Sequence, residues 1–328
     1  MEPSLLNESS KKYALQIFLI VLVILQVLRI AIGLTAFPLA LVPALTIATT
    51  IVFVATPIFA VFYGAAYPWT PKVATLFIAI GVPVQLGLTL LAKTALLGFP
   101  ALLAMSAAQV ALFCWCVGLG ALLATLLKDR NLLIPITIFL AVFDAFLIFA
   151  PVGFTRIIME KAPQVLPSVG ASIPKIQTTV TAAPVGQFAT IGPADFVFMG
   201  MFFIALFRFG METRKTLMVL VPTVLAYLVL SAFFGSIPLL PPIALTVLIV
   251  NFKLFKLTKD EWVSTAVVAA LSIAGLIYGI TRPQPVEVIR EGQAGPSSPA
   301  PGQETPKSAD SPSPTSSGQS PSPAPVVP

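Results

Sequence analysis

The fold class this sequence predicts is an all-α polytopic membrane protein, and three observations predict it. Of 328 residues, 57% are hydrophobic and only 10% charged, too apolar for a soluble domain. The apolar residues gather into nine successive runs, most of them near the roughly 20 residues a helix needs to cross the hydrocarbon layer. Lys and Arg fall mainly in the short connections between runs, where positive charge sets topology.

The first run, 13–36, follows Lys11 and Lys12. It is too long for the apolar core of a cleavable leader and no small-residue cleavage site follows it, so it reads as a retained signal anchor. The second and third runs cover 39–63 and 72–97. Only Gly98-Phe99-Pro100 separates the third from the fourth, 101–127, which predicts a tight antiparallel hairpin. The fifth, 132–158, carries Asp144 about twelve residues in, near mid-membrane at 1.5 Å per residue. Pro151 lies seven residues further on the same helical face and is expected to open the hydrogen-bond ladder and kink that helix.

The one long connection, 159–192, is rich in Pro, Thr, Ser, Gln and Val. Loops of this length in compact proteins are usually functional or disordered. Its segment Ile176-Gln177-Thr178-Thr179-Val180-Thr181 has the β-branched density of a short strand. A mobile external loop and a gate that lies against substrate both fit. The remaining runs cover 194–210, 215–234, 238–256 and 262–281. Beyond them Pro, Ser, Gly and Ala dominate and cannot bury a core, so a disordered tail is expected. The resulting division is a four-helix membrane region (1–131), a membrane core with the external loop and a final helix (132–281), and the tail (282–328).

The amino terminus and the even-numbered connections carry eleven Lys or Arg: Lys11, Lys12, Lys72, Lys128, Arg130, Arg208, Arg214, Lys215, Lys253, Lys256 and Lys259. The loops of the opposite face carry Lys93, Arg156, Lys161 and Lys175. The amino terminus is therefore expected in the cytoplasm and, with nine spans, the tail outside. The net charge of +6 is accounted for as a topology signal, with no nucleic-acid partner implied. The compact loops suit a prokaryotic plasma membrane.

Several chemistries are excluded by composition. There is no histidine, which removes zinc-binding HExxH helices and Ser-His hydrolases. The only cysteines, Cys114 and Cys116, are two apart in one run and point away from each other on a helix, so buried free thiols are expected. Arg29 and Lys93, near span ends, are expected to snorkel to the interface. Gln26, Gln85 and Gln109 are expected as interhelical hydrogen-bond partners, and Gly200 as a point of close helix contact.

Two acids remain deep in apolar surroundings: Asp144, in Phe143-Asp144-Ala145, and Asp195, which opens the sixth run in Ile191-Gly192-Pro193-Ala194-Asp195-Phe196. A carboxylate facing hydrocarbon costs at least about 2.5–3.5 kcal/mol, so an intramembrane acid normally faces a cavity or a partner. For these two to meet, water must penetrate from outside or the sixth helix must begin below the membrane surface. Two adjacent carboxylates cannot both ionise freely: one stays protonated and polarises a carbonyl while the other activates water. No metal or cofactor is needed. The residues alone favour a proton- or cation-coupled transporter, with both aspartates as relay groups, over a protease.

The stretch Gly192-Pro193-Ala194-Asp195-Phe196-Val197-Phe198 resembles the GxGD-F motif of the intramembrane aspartyl proteases, the presenilin and signal peptide peptidase family with its prokaryotic homologues. Phe143-Asp144 looks like that family's aromatic-Asp pair, and Ile237-Pro238-Leu239-Leu240-Pro241 resembles its Pro-Ala-Leu motif with the following proline. The resemblance covers roughly residues 132–256 and implies a catalytic dyad of Asp144 and Asp195. It also implies substrate contacts at Gly192, Ala194, Pro238, Leu239 and Leu240, and membrane-embedded helical peptides as substrates. The sequence departs from the family in having Ala194 for the second glycine and Leu239 for the alanine of the Pro-Ala-Leu motif. Four spans precede the first aspartate helix and one extra follows the Pro-Leu-Leu helix. A noncatalytic relative that binds helices is the third reading.

Overall fold

The computed structural model describes residues 8–151, 153–161, 166–179, 187–234 and 237–281. The tail expected to be disordered lies outside the described residues. The order of elements is α1 (Glu8–Gly33), α2 (Val42–Ala65), α3 (Pro71–Thr94), α4 (Gly98–Leu126), α5 (Leu133–Phe149), α6 (Phe154–Lys161) and α7 (Leu166–Val169). A two-stranded antiparallel ribbon of β1 (Ala171–Pro174) and β2 (Gln187–Ile191) follows, then α8 (Pro193–Arg208), α9 (Thr213–Phe234), α10 (Leu240–Asn251) and α11 (Lys259–Thr281). Among the described residues seven helices, α1 to α5, α9 and α11, are long and apolar enough to cross a bilayer. The chain is an integral, polytopic membrane protein, and among the described residues its regular structure is helical apart from the ribbon.

Local chemistry sets the helix starts. Thr70 caps α3, its hydroxyl accepting from the Val73 amide at 3.4 Å, and Pro71 occupies the first turn where a missing N–H costs nothing. Gly98, at φ 61°, turns the chain into α4, so the α3–α4 hairpin closes over residues 95–97, just before the expected triplet. Phe99 and Pro100 lie instead in the first turn of α4, where proline is tolerated.

The centre of the bundle is α4, apolar on all sides and packed by α1, α2, α3 and α8. Its tightest approach is to α8 at Gly120: a Cβ there would lie 2.5 Å from the Val197 carbonyl oxygen and 2.8 Å from the Met201 nitrogen. Gly200, the glycine singled out in the sequence, has ordinary room, with Val117 Cα 3.6 Å from a Cβ placed on it. Phe113 of α4 and Phe196 of α8 meet edge to face at 4.8 Å, both fully buried. At the periphery, α11 packs against α5, with Gly279 set against the Phe146 ring.

Two expectations are corrected. The fifth span ends at Phe149 instead of continuing kinked to 158. Ala150, which precedes Pro151, is extended at ψ 137°, as the clash with a following proline ring favours. Gly153 then folds back over the end of α5, where a Cβ would lie 2.3 Å from the Leu147 carbonyl oxygen. The strand expected over 176–181 is also displaced. Residues 175–177 have no regular structure, 178 and 179 form a bend, and 180 and 181 lie outside the described residues. The ribbon pairs Ala171 with Ile191 and Ser172 with Thr190, and all four residues of β1 are buried. Burial and buried hydrogen bonds along 168–173 outweigh β-branched propensity, which is a weak and context-dependent preference.

Candidate active site

The site is built where two helices start inside the bundle. Gly192 is the N-cap of α8, Pro193 its first residue and Asp195 its third. An acid at this position reaches back to the N-cap amide, the second half of a capping box, and the Gly192 amide bonds to the Asp195 carboxylate. The fit is close: a Cβ on Gly192 would sit 3.2 Å from Asp195 Oδ2. The start of α8 lies alongside Cys116, whose thiol donates to the Pro193 carbonyl at 3.5 Å. Cys116 is eighteen residues into α4, about 27 Å along its axis. The helix bearing Asp195 therefore begins deep within the bundle, the second of the two geometries under which the aspartates can meet.

The same holds for α10. Leu239 is its N-cap and Leu240 its first residue, followed by Pro241 and Pro242, which have no N–H to satisfy. The Leu240 amide donates to Asp144 Oδ2 at 2.9 Å, and the Leu239 amide bonds to the same carboxylate. Asp144 thus caps α10 from a neighbouring helix. It lies eleven residues past Leu133, about 16 Å along α5, while Asp195 lies thirteen residues before Arg208, about 20 Å from the far end of α8. α8 and α10 are short because both begin part-way through the bundle, each with a carboxylate at its positive end.

The two aspartates, 51 positions apart in sequence, interact electrostatically in the folded chain, and both are half-buried. Between their helices runs α10, packed on α5, α8 and α9. Of the residues singled out in the sequence, Gly192 touches Asp195, Leu239 and Leu240 touch Asp144, Pro238 is buried beside them, and Ala194 is exposed. Two further residues join the site without any local sequence signal. Tyr227, half-buried on α9, interacts electrostatically with Asp144, and Cys116 with Asp195. Cys114 and Cys116 are both free thiols.

The polar residues of α1, α3 and α4 have a common destination that the sequence did not reveal. Arg29 is 2% exposed and does not snorkel: it donates to the Ser172 carbonyl at 3.0 Å and to the Ser172 hydroxyl. Lys93, exposed on α3, donates to the Ser168 hydroxyl. Gln85 donates to the Ser168 carbonyl of α7 at 3.3 Å and accepts from the Trp115 indole of α4 at 2.5 Å, so both of its bonds join helices. Gln109 donates to the Gly170 carbonyl at 3.0 Å and accepts from the Ser172 amide at 3.2 Å. Three helices thus hold the backbone of residues 168–172 within the bundle, and β1 in turn holds β2, which runs directly into Gly192 and Asp195. Burial of the loop's peptide groups demands such partners.

No family model, curated protein or solved structure matches this chain.

Proposed function

We propose that the chain is an intramembrane aspartyl endopeptidase in which Asp144 and Asp195 activate one water against a peptide bond of a transmembrane substrate. One observation carries the reading: two carboxylates from separate helices lie close enough to interact electrostatically inside the bundle, and the Pro-Leu-Leu segment donates to one of them. On this reading α8 and α10 complete nine membrane-embedded helices, with the amino terminus cytoplasmic, the tail outside and a prokaryotic plasma membrane as the location.

The chemistry follows from coupling. A close carboxyl pair shares one proton and titrates as a unit. The ionised member takes a proton from water, whose oxygen attacks the peptide carbonyl carbon, while the protonated member donates to the carbonyl oxygen. Collapse of the gem-diol intermediate breaks the C–N bond: the amine takes the proton the first carboxylate had gained from water, and a diol hydroxyl returns its proton to the second, so the dyad again holds one proton. No metal or cofactor enters. A helical substrate hides its scissile bond because its backbone groups are already paired, so unwinding precedes attack. The extended backbone of β2, next to Gly192, offers a strand along which the unwound segment can align.

The test is cleavage of single-span reporters by purified protein, with Asp144→Asn and Asp195→Asn beside the wild type. Asparagine keeps the oxygen that accepts from the Leu240 or Gly192 amide, so each helix cap survives while the dyad is lost. Loss of cleavage in both variants, with unfolding temperature retained, is the expected result. Full activity in either variant overturns the proposal. A second reading, a noncatalytic helix-binding relative, draws support from the structural role both carboxylates have as caps and from the bulk of Leu239. It predicts reporter binding without cleavage by the wild type. Substrate-dependent proton flux without cleavage would instead support the coupled transporter.

A further inference from the structure

A small cavity lies between α1, α2, α4 and β1 and is lined by neither aspartate, with Gln26, Arg29, Phe53, Pro57, Gln109 and Ser172 among its lining residues. Its polar wall is unbalanced in a specific way. Arg29 is a buried permanent cation, and among the described residues no carboxylate forms an ion pair with it. Its terminal nitrogens are satisfied by Ser172, but its Nε–H has no partner. Gln26, one turn earlier on the same face of α1 and 6% exposed, has its Oε1 without a donor. Pro57 lies inside α2 and has no N–H, so the Phe53 carbonyl four residues before it loses its helical donor. The residues that carry this one donor and these two acceptors all line the same space.

We infer that this cavity binds a single water molecule, which accepts from Arg29 Nε–H and donates to Gln26 Oε1 and to the Phe53 carbonyl. The free volume for water-sized spheres is about 10 Å³, about what one buried water requires, and three hydrogen bonds are the usual number for one. The balance of groups favours water over a small anion. An anion would accept from Arg29 but would face two oxygen acceptors with nothing to donate to them. The water completes the bonding of the guanidinium that holds Ser172, and so ties α1 and α2 to the strand paired with β2. The inference stands independently of the proposed proteolysis.

The decisive experiment is a crystal structure of the full chain grown in bromide, at a resolution that shows buried waters. One ordered peak within about 2.6–3.2 Å of Arg29 Nε, Gln26 Oε1 and the Phe53 oxygen, with no anomalous bromide signal, is expected. A bromide peak, or a dry cavity in a map that shows other buried waters, overturns the inference. A second measurement needs no crystal. Pro57→Ala returns a donor to the Phe53 carbonyl, and Gln26→Met removes the other acceptor. If one water links them, the effect of Pro57→Ala on the unfolding half-life in detergent should differ by at least about 2-fold between wild-type and Gln26→Met backgrounds. Strictly independent effects count against a shared water.

Discussion

Gly120→Ala probes the link between packing and the candidate site directly. The added Cβ would lie 2.5 Å from the Val197 carbonyl oxygen, 2.8 Å from the Met201 nitrogen and 3.2 Å from the Gly200 carbonyl carbon, all backbone atoms of α8. Ordinary contact begins near 3.4 Å, so relief requires α4 and α8 to separate by about 0.9 Å. Rotation of a side chain cannot provide this. Overpacking of this kind costs about 1–3 kcal/mol, roughly a 5- to 150-fold change in the folding equilibrium. Since α8 carries Asp195 in its first turn, the same displacement moves one carboxylate relative to the other. A shift of about 1 Å at reacting groups can lower a rate by roughly 10²-fold. The assay is paired: thermal unfolding in detergent and reporter cleavage below the unfolding transition. Gly87→Ala is the control, because nothing lies within 4 Å of its new Cβ on an exposed face of α3. It should gain up to about 1 kcal/mol from helix propensity. If Gly120→Ala unfolds and cleaves like the wild type, the close α4–α8 crossing is not what positions Asp195.

Other substitutions test the supporting lattice. Arg29→Met removes the donor to the Ser172 carbonyl and hydroxyl, and leaving such buried acceptors unpaired should cost about 1–3 kcal/mol each; hydrogen exchange of amides 171–174 should speed up more than that of α4. Unchanged exchange there would show that the arginine does not hold the strand. Asn251, fully buried, accepts from the Glu212 amide at 2.9 Å and donates to the Thr216 hydroxyl and the Val247 carbonyl, both at 3.0 Å. Asn251→Ala should lower the unfolding temperature through loss of about 1–3 kcal/mol, and an unshifted transition would contradict that role. Cys116 is 0% exposed and Cys114 half-buried, so folded protein should resist maleimide for as long as unfolded protein reacts completely; rapid labelling of Cys116 in the folded state would contradict the packing of α8 on α4.

The positions of the long helices were legible because they depend on local quantities. Run length, the charges between runs, Thr70-Pro71 at the start of α3 and Gly98 at the start of α4 each act over a few residues. The isolation of Asp144 and Asp195 was equally plain, since so few acids fall within apolar runs. Depth was not legible. Two of the expected spans, 194–210 and 238–256, look like their neighbours in hydropathy, yet α8 and α10 begin part-way through the bundle. A helix can start there only if its first amides find acceptors. Gly192 finds one three residues away in Asp195, a pattern visible in the sequence. Leu240 finds one 96 positions away in Asp144, and no window of sequence contains that pair. The same limit applies to Arg29, Gln85, Lys93 and Gln109, each readable as a polar residue in an apolar helix. Their shared target, the segment 168–172, exists only once the loop has folded inward; Arg29, Gln85 and Gln109 pair its peptide groups there, and Lys93 pairs the Ser168 hydroxyl.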